Sequence, residues 1–176
     1  MDKDLQYHNW VNSFFNKRNW TALPFQLETW KAILNEDSGL VNAPTGSGKT
    51  LSVLPPILWK KLNSNKSSKS SLFCIWITPL RSLSKQIQLS IQDFLNDMCD
   101  EFSVEVRNGD TSLKDRARQA KKLPNILITT PESFQLLICS KGWKKKMEQV
   151  DTVVVDEWHE LIGSKRGVQL ELCLSA

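Results

Sequence analysis

The run Ala43-Pro44-Thr45-Gly46-Ser47-Gly48-Lys49-Thr50 constrains this chain more than any other stretch. It follows the pattern G-x-x-x-x-G-K-[ST], with Ala43 at the first glycine. Such a loop needs a strand before it and a helix after it, so the expected fold is α/β. Gly46 and Gly48 let the backbone curl round the β- and γ-phosphates of a nucleotide and present N–H groups to them. Thr45 and Ser47 complete the curl, and the positive end of the next helix faces the same phosphates. Lys49 places a point charge on the β/γ oxygens, and Thr50 offers a hydroxyl to Mg²⁺.

The flanks supply that setting. Leu40-Val41-Asn42 reads as a short strand feeding the loop, and Lys49 to Leu62 as a helix that Pro55 and Pro56 should kink or interrupt. Upstream, Trp10, Phe14 and Phe15 recur at helical spacing and are read as packing residues. Residues 63–71 are rich in Ser, Asn and Lys and read as an exposed loop. Beyond it, apolar runs at 72–77, 104–106, 125–128 and 150–155 alternate with helical patterns at 82–98, 114–122, 133–139 and 141–147. Thr130 and Pro131 suit the cap and first position of the third of these helices. The expectation is one domain over 1–176, with 1–36 a helical segment within it. Its sheet is mostly parallel, with helices on both faces.

A second feature complements the loop. Thr152-Val153-Val154-Val155 runs into Asp156-Glu157-Trp158-His159. An acid at the end of such a strand can hold Mg²⁺ through its water shell, and a second acid can accept a proton from attacking water. Asp156 is assigned the first role and Glu157 the second. With Lys49 and His159 they form the expected catalytic set.

Composition narrows the class. With 40% hydrophobic and 24% charged residues the chain reads as globular rather than disordered. No apolar run is long enough to span a bilayer, and the acidic start, Met1-Asp2-Lys3-Asp4, lacks a signal-peptide core. The expected address is the cytoplasm, or the nucleoid of a bacterium. Cys74, Cys99, Cys139 and Cys173 have no C-x-x-C spacing and are read as small buried hydrophobes. The net charge of +4 suits a polyanionic partner without establishing one. The basic clusters at 114–122 and 141–146 read as solvated helix faces.

Taken together, these motifs resemble those of superfamily 2 helicases, in the same order and over nearly the whole chain. Ala43 to Thr50 is similar to motif I, and Thr78-Pro79-Leu80-Arg81-Ser82-Leu83 to motif Ia. Gly109-Asp110-Thr111 resembles the glycine motif that follows, and Thr129-Thr130-Pro131-Glu132-Ser133 resembles motif Ib. Asp156-Glu157-Trp158-His159 is similar to motif II in its DEXH form, and Gln26 to the glutamine of the Q motif. Pro24 to Trp30, Thr78 to Leu83, and Asp156 to Leu161 with Gly163 to Gly167 resemble large helicase-related proteins, especially the bacterial ligase-associated type.

The resemblance implies a RecA-like fold, ATP and Mg²⁺ as cofactors, and single-stranded nucleic acid as partner. The subgroup tilts this to DNA and to repair. Gln26 would read the adenine edge, with Trp20 or Phe25 stacking on the base. Pro79, Leu80, Arg81, Gly109, Asp110, Thr111, Thr129, Thr130, Pro131 and Glu132 would hold a strand's backbone without reading its sequence. The family's Ser-Ala-Thr motif III and its second lobe, with the arginine fingers, have no counterpart here. The apolar pattern Val168, Leu170, Leu172, Leu174 runs to the last residues, so an excised domain is expected, poorly active without the second lobe. Two rivals stand beside this reading: another P-loop NTPase such as a kinase, and a nucleic-acid-binding module that keeps ATP as a structural ligand.

Overall fold

The computed structural model describes residues 3–44, 46–64 and 72–175. They fall into two compact units: 3–44, 46–64 and 96–99 form the first, and 72–95 with 100–175 the second. Part of the expected exposed loop, residues 65–71, lies outside the described residues.

The first unit is built from α1 (Lys3–Lys17), α2 (Pro24–Leu34) and α3 (Lys49–Leu62). Tyr7, Val11, Phe14 and Phe15 repeat at three and four residues, so α1 buries one stripe. That stripe meets Trp30 of α2 edge-on, at ring distances of 5.8 Å from Tyr7 and 5.6 Å from Phe15. Tyr7 also meets Trp59 of α3 at 5.9 Å. Each such pair contributes about 0.5–1.5 kcal/mol beyond its buried area. Arg18 lies 3.8 Å over the Phe14 ring and pairs with Asp97 at 2.6 Å.

Of the two outcomes expected at Pro55 and Pro56, a kink or an interruption, the interruption does not occur: the helix is continuous from Lys49 to Leu62. Proline removes the N–H that the carbonyl four residues earlier would accept. For Pro55 that carbonyl belongs to Leu51, and the buried indole of Trp30 donates to it at 2.9 Å. A side chain of α2 thus supplies the bond that the helix cannot make for itself.

The second unit is a four-stranded sheet. In chain order its elements are β1 (Cys74–Ile77), α4 (Arg81–Met98), β2 (Val104–Arg107), α5 (Leu113–Lys121), β3 (Ile126–Thr129), α6 (Pro131–Ile138), α7 (Trp143–Met147), β4 (Thr152–Val155) and α8 (Lys165–Leu174). The last turn of α4, with Cys99, belongs to the first unit. The strand order is β2-β3-β1-β4, and every pairing is parallel. Ile75, Ile77 and Leu127 pack on one face with Phe134, Leu137, Trp143 and Leu170 from α6, α7 and α8. The alternate residues Cys74, Trp76, Ile126 and Ile128 are equally buried, so both faces of the central strands are covered.

Two expectations need correction. Residues 40–44 form no strand, and Leu40 is 78% exposed. An apolar stretch becomes a strand only with a ladder partner, and all four strands of the sheet come from the second unit. Among the cysteines, Cys74 and Cys99 are buried, and burial pushes the Cys74 thiol up to about 12. Cys139, at the end of α6, is exposed instead. No described helix is long and apolar enough to cross a membrane.

The proline repair is testable. Trp30→Phe keeps an aromatic ring at this position and leaves the Leu51 carbonyl without its indole donor, which should lower stability by about 1–3 kcal/mol. Urea unfolding should show a lower midpoint at unchanged slope. In a Pro55→Ala background, where residue 55 regains its N–H, the same substitution should lose much less.

Candidate functional site

The phosphate loop stands in the first unit, between residues without regular structure and the start of α3. Gly46 and Gly48 have left-handed φ of +78° and +87°, so the two glycines bear the curl. Ser47 donates through its hydroxyl to the Pro44 carbonyl at 2.6 Å, and Lys49 Nζ donates to the Ala43 carbonyl at 3.1 Å. Thr50 lies in the first turn of α3. Thr45 is outside the described residues.

Gln26 is bound into this loop. Its side chain is 3% exposed; Oε1 accepts from Leu23 N–H at 2.9 Å and Nε2 donates to the Gly48 carbonyl at 3.1 Å. The first contact closes the start of α2, where Pro24 takes the first position. The second joins the glutamine segment to the phosphate loop. A Cβ on Gly48 would lie 2.8 Å from Nε2, so the glycine answers a close approach as well as a positive φ. Trp20 is half exposed and Phe25 half-buried.

In the second unit the parallel register decides the layout. Ile77 is level with Thr129 and Val155, and Arg107 with Thr129. The segments that follow all four strands therefore leave the same edge of the sheet. They are Thr78 to Arg81, Asn108 to Thr111, Thr130 to Glu132, and Asp156 to His159. They overlap the four stretches that the sequence singles out, which begin at Thr78, Gly109, Thr129 and Asp156.

The acid pair opens the last of these segments. Asp156 N–H donates to the Ile77 carbonyl at 2.8 Å, and Asp156 Oδ1 accepts from Glu157 N–H at 2.9 Å. Glu157 has a left-handed φ of +47°, a sparsely populated conformation for a residue with a side chain. His159 is exposed, with Nδ1 3.5 Å from Glu157 Oε2 and Nε2 3.5 Å from Glu160 Oε1. Asp156 and Glu157 are half-buried at the mouth of this edge.

The other three segments are braced by side chains from within and from neighbouring helices. Arg81 pairs with Asp110 at 3.1 Å, and a Cβ on Gly109 would collide with the Arg81 guanidinium. Arg116 donates to the carbonyls of Thr111, Asn108 and Gly109 at 3.0, 2.9 and 3.2 Å. Burial and the charge of Arg116 push Arg107 down, so two cations share the end of β2. Thr129 is buried and donates to the Arg107 carbonyl at 2.7 Å, while Thr130 caps α6 at Ser133. Pro79, Thr129, Thr130 and Pro131 are buried; Leu80, Arg81, Gly109, Asp110 and Glu132 are exposed, and Thr111 is half-buried.

Sequence reasoning missed the bracing residues. Asn108 accepts from Asp110 N–H at 3.0 Å, and Ser164 caps α8 by accepting from Gly167 N–H at 3.1 Å. A Ser three residues ahead of an accepted N–H is a readable capping signal. Nothing in the spacing of Arg116 or Arg166 announces their partners. Arg166 donates from Nε and Nη2 to the two carboxylate oxygens of Glu132, and from Nη2 to the Pro79 carbonyl at 2.7 Å. Burial alone would raise the Glu132 carboxyl; the bond from Arg166 and the local hydrogen bonds outweigh it and hold the group below its usual range.

Two outcomes follow. Gly48→Ala should destabilise by about 1–2 kcal/mol from its left-handed φ alone, and displacement of the Gln26 amide should weaken nucleotide affinity further; denaturant unfolding and nucleotide titration read the two. The Glu132 pKa is depressed on folding, so its contribution is present above the unfolded value, near 4.3, and fades as pH falls through the lower folded value. Stability measured from pH 6 down to 2 should fall less steeply in Glu132→Gln than in the parent.

A model of the DEAD/DEAH box helicase family matches residues 23–176. The ATP-dependent helicase Lhr-Core of Methanothermobacter thermautotrophicus is 36% identical over 95% of this chain and 21% of its own length. The structure of Mycobacterium smegmatis helicase Lhr bound to ssDNA and AMP-PNP superposes with a TM-score of 0.80 at 30% identity, covering 96% of this chain and 22% of that one. Mss116p bound to ssRNA and AMP-PNP superposes at 0.79 with 25% identity, over 99% of this chain and 34% of the other. The fold is thus the RecA-like α/β fold of these helicases, and this chain spans about a fifth of the length of the Methanothermobacter Lhr-Core relative. The match over residues 23–176, with four of the motifs following level strand ends on one sheet edge, places the chain in the DEAD/DEAH box helicase family.

Proposed function

We propose that this chain is the ATP-binding lobe of an ATP-dependent helicase or translocase acting on single-stranded nucleic acid, DNA in preference to RNA. The observation that carries the reading is the shared edge of the second unit. There a carboxylate pair suited to hydrolysis stands beside three braced loops suited to a phosphate backbone. A kinase or a scaffold has no use for that combination. The preference for DNA rests on the Lhr relatives, one of which holds ssDNA.

ATP is the substrate, and the loop fits its phosphates. The left-handed glycines turn backbone N–H groups inward, and Lys49 already bridges the loop to Ala43. In the reading, Lys49 exchanges that carbonyl for the β/γ oxygens. Gln26 turns a remaining amide hydrogen or lone pair to the adenine edge while keeping its hold on Gly48. Mg²⁺ is held by few protein groups besides phosphate and water, and the Thr50 hydroxyl and Asp156 carboxylate are a fitting donor set. It would supply charge neutralisation on the phosphate oxygens. Glu157 accepts the proton of the attacking water, and His159, lying against its carboxylate, holds it in place. The reading requires the phosphate loop and the acid pair to serve one nucleotide.

Leu80, Arg81, Gly109, Asp110, Thr111 and Glu132 form the exposed front for the strand, and the buried Pro79, Thr129, Thr130 and Pro131 shape it. Arg107 and Arg116 add positive charge behind it. A second RecA-like lobe in cis would donate an arginine to the transition state, worth about 10³–10⁵-fold in related P-loop enzymes. The working compartment in this reading is the cytoplasm or nucleoid, and the biological role is DNA repair.

A fluorescent ATP analogue titrated with Mg²⁺ into the two-lobed protein should saturate, and Lys49→Ala should abolish that binding. Glu157→Gln should keep the binding and lower strand-stimulated turnover by about 10²–10⁴-fold. Unchanged turnover in Glu157→Gln would leave the scaffold reading standing in place of the motor.

A further inference from the structure

We propose that Arg166 is a positioning residue that ties the acid-pair turn to the strand-binding loops and sets the spacing of two of those loops. The proposal rests on the reading above, that the segments after β1 and β3 meet a nucleic-acid backbone.

The guanidinium of Arg166 reaches both segments at once. Nε and Nη2 engage the two oxygens of Glu132, in the segment after β3, and Nη2 donates to the Pro79 carbonyl, in the segment after β1. Those partners lie 34 and 87 positions away in the chain. A planar fork can hold a carboxylate with two parallel bonds and still offer a hydrogen to a third acceptor; an ammonium lacks that fixed geometry.

The base of the side chain is anchored elsewhere. Arg166 sits in the first turn of α8, and that turn is fastened to the one that follows the acid pair. Ser164 donates to the Leu161 carbonyl at 2.8 Å and accepts from Gly167 N–H. A Cβ on Gly167 would run into the Leu161 carbonyl, so glycine is what allows α8 to come this close. Leu161 N–H in turn donates to Trp158 and Glu160 N–H to Glu157, each at 2.9 Å. One end of Arg166 therefore follows the Glu157 turn, and the other end holds two loops of the proposed strand front.

Charge points the same way. Glu132 is half exposed on a front meant for phosphates, where a lone carboxylate would repel the ligand. Arg166 neutralises it. Both partners remain well solvated, with side chains 37% and 51% exposed, and such surface pairs add little to stability. The pair makes better sense as a device for geometry and charge than as a staple of the fold.

The test uses the two-lobed protein, a fluorescein-labelled oligothymidylate for strand affinity, and ATP turnover as a function of strand concentration. Arg166→Ala should weaken strand binding about tenfold and raise the half-stimulating strand concentration by the same factor. The KM for ATP and the thermal midpoint should stay near the parent values. Arg166→Lys should recover only part of the loss. Adding Glu132→Gln to Arg166→Ala should restore part of the affinity, because the unpaired acid is gone. Two results overturn the proposal: parent-like strand affinity in Arg166→Ala, or no rescue by Glu132→Gln, which would make Arg166 itself a phosphate ligand. Arg81→Ala separates this failure from that of the underlying reading. Weakened binding there with an unaffected Arg166→Ala sinks the positioning role alone; parent-like affinity in both sinks the strand front as well.

Discussion

Parallel pairing is the constraint on which the second unit depends. Parallel strands cannot be joined by tight turns, so each connection must cross over through a helix and return to the starting edge. With Ile77, Thr129 and Val155 level across the ladder, and Arg107 level with Thr129, the chain leaves each strand at the same height. Four segments distant in sequence become neighbours without any of them having to fold toward another. The chemistry of the edge is then a matter of which side chains stand in those segments, and of what braces them.

The first unit solves a different problem. A loop with two left-handed glycines makes few ordinary backbone pairs; here Ser47 N–H to the Pro44 carbonyl, at 3.2 Å, is one. Side chains supply the rest: Lys49 reaches back to Ala43 and Ser47 closes on Pro44 within the loop, and Gln26 holds the Gly48 carbonyl from outside it. The helix behind it carries two prolines near its midpoint, and the Trp30 indole meets the carbonyl that Pro55 leaves open. The aromatic cluster of α1 and α2 thus serves the loop indirectly, by fixing Trp30 where α3 needs a donor.

Much of this was legible in the sequence because it follows from local chemistry. Apolar runs marked β1 to β4 to within a residue or two, Thr130-Pro131 announced the start of α6, and four of the motifs fall where strands end. What escaped has a common cause: it depends on partners far away in the chain. The continuity of α3 needs Trp30, from another helix. Leu40-Val41-Asn42 looks like a strand but has no ladder partner among the described residues. The links of Arg166 to Glu132 and Pro79, and of Arg116 to its three carbonyls, join positions that no periodicity relates. Cys139 sits in an apolar run yet is exposed, because it ends its helix instead of lying on the buried stripe.

Among the described residues the strand order ends on β4, and Thr152-Val153-Val154-Val155 is short, uncharged and only half buried. A segment of that kind at a sheet's rim is a template on which another chain can add a strand. Acids flank it on both sides, Asp151 before and Asp156 with Glu157 after. Charges so placed act as gatekeepers against such pairing. Carboxylates flanking an apolar strand would thus disfavour such pairing in addition to any part they play in hydrolysis, and neutralising one of them would remove a share of that protection along with the chemistry.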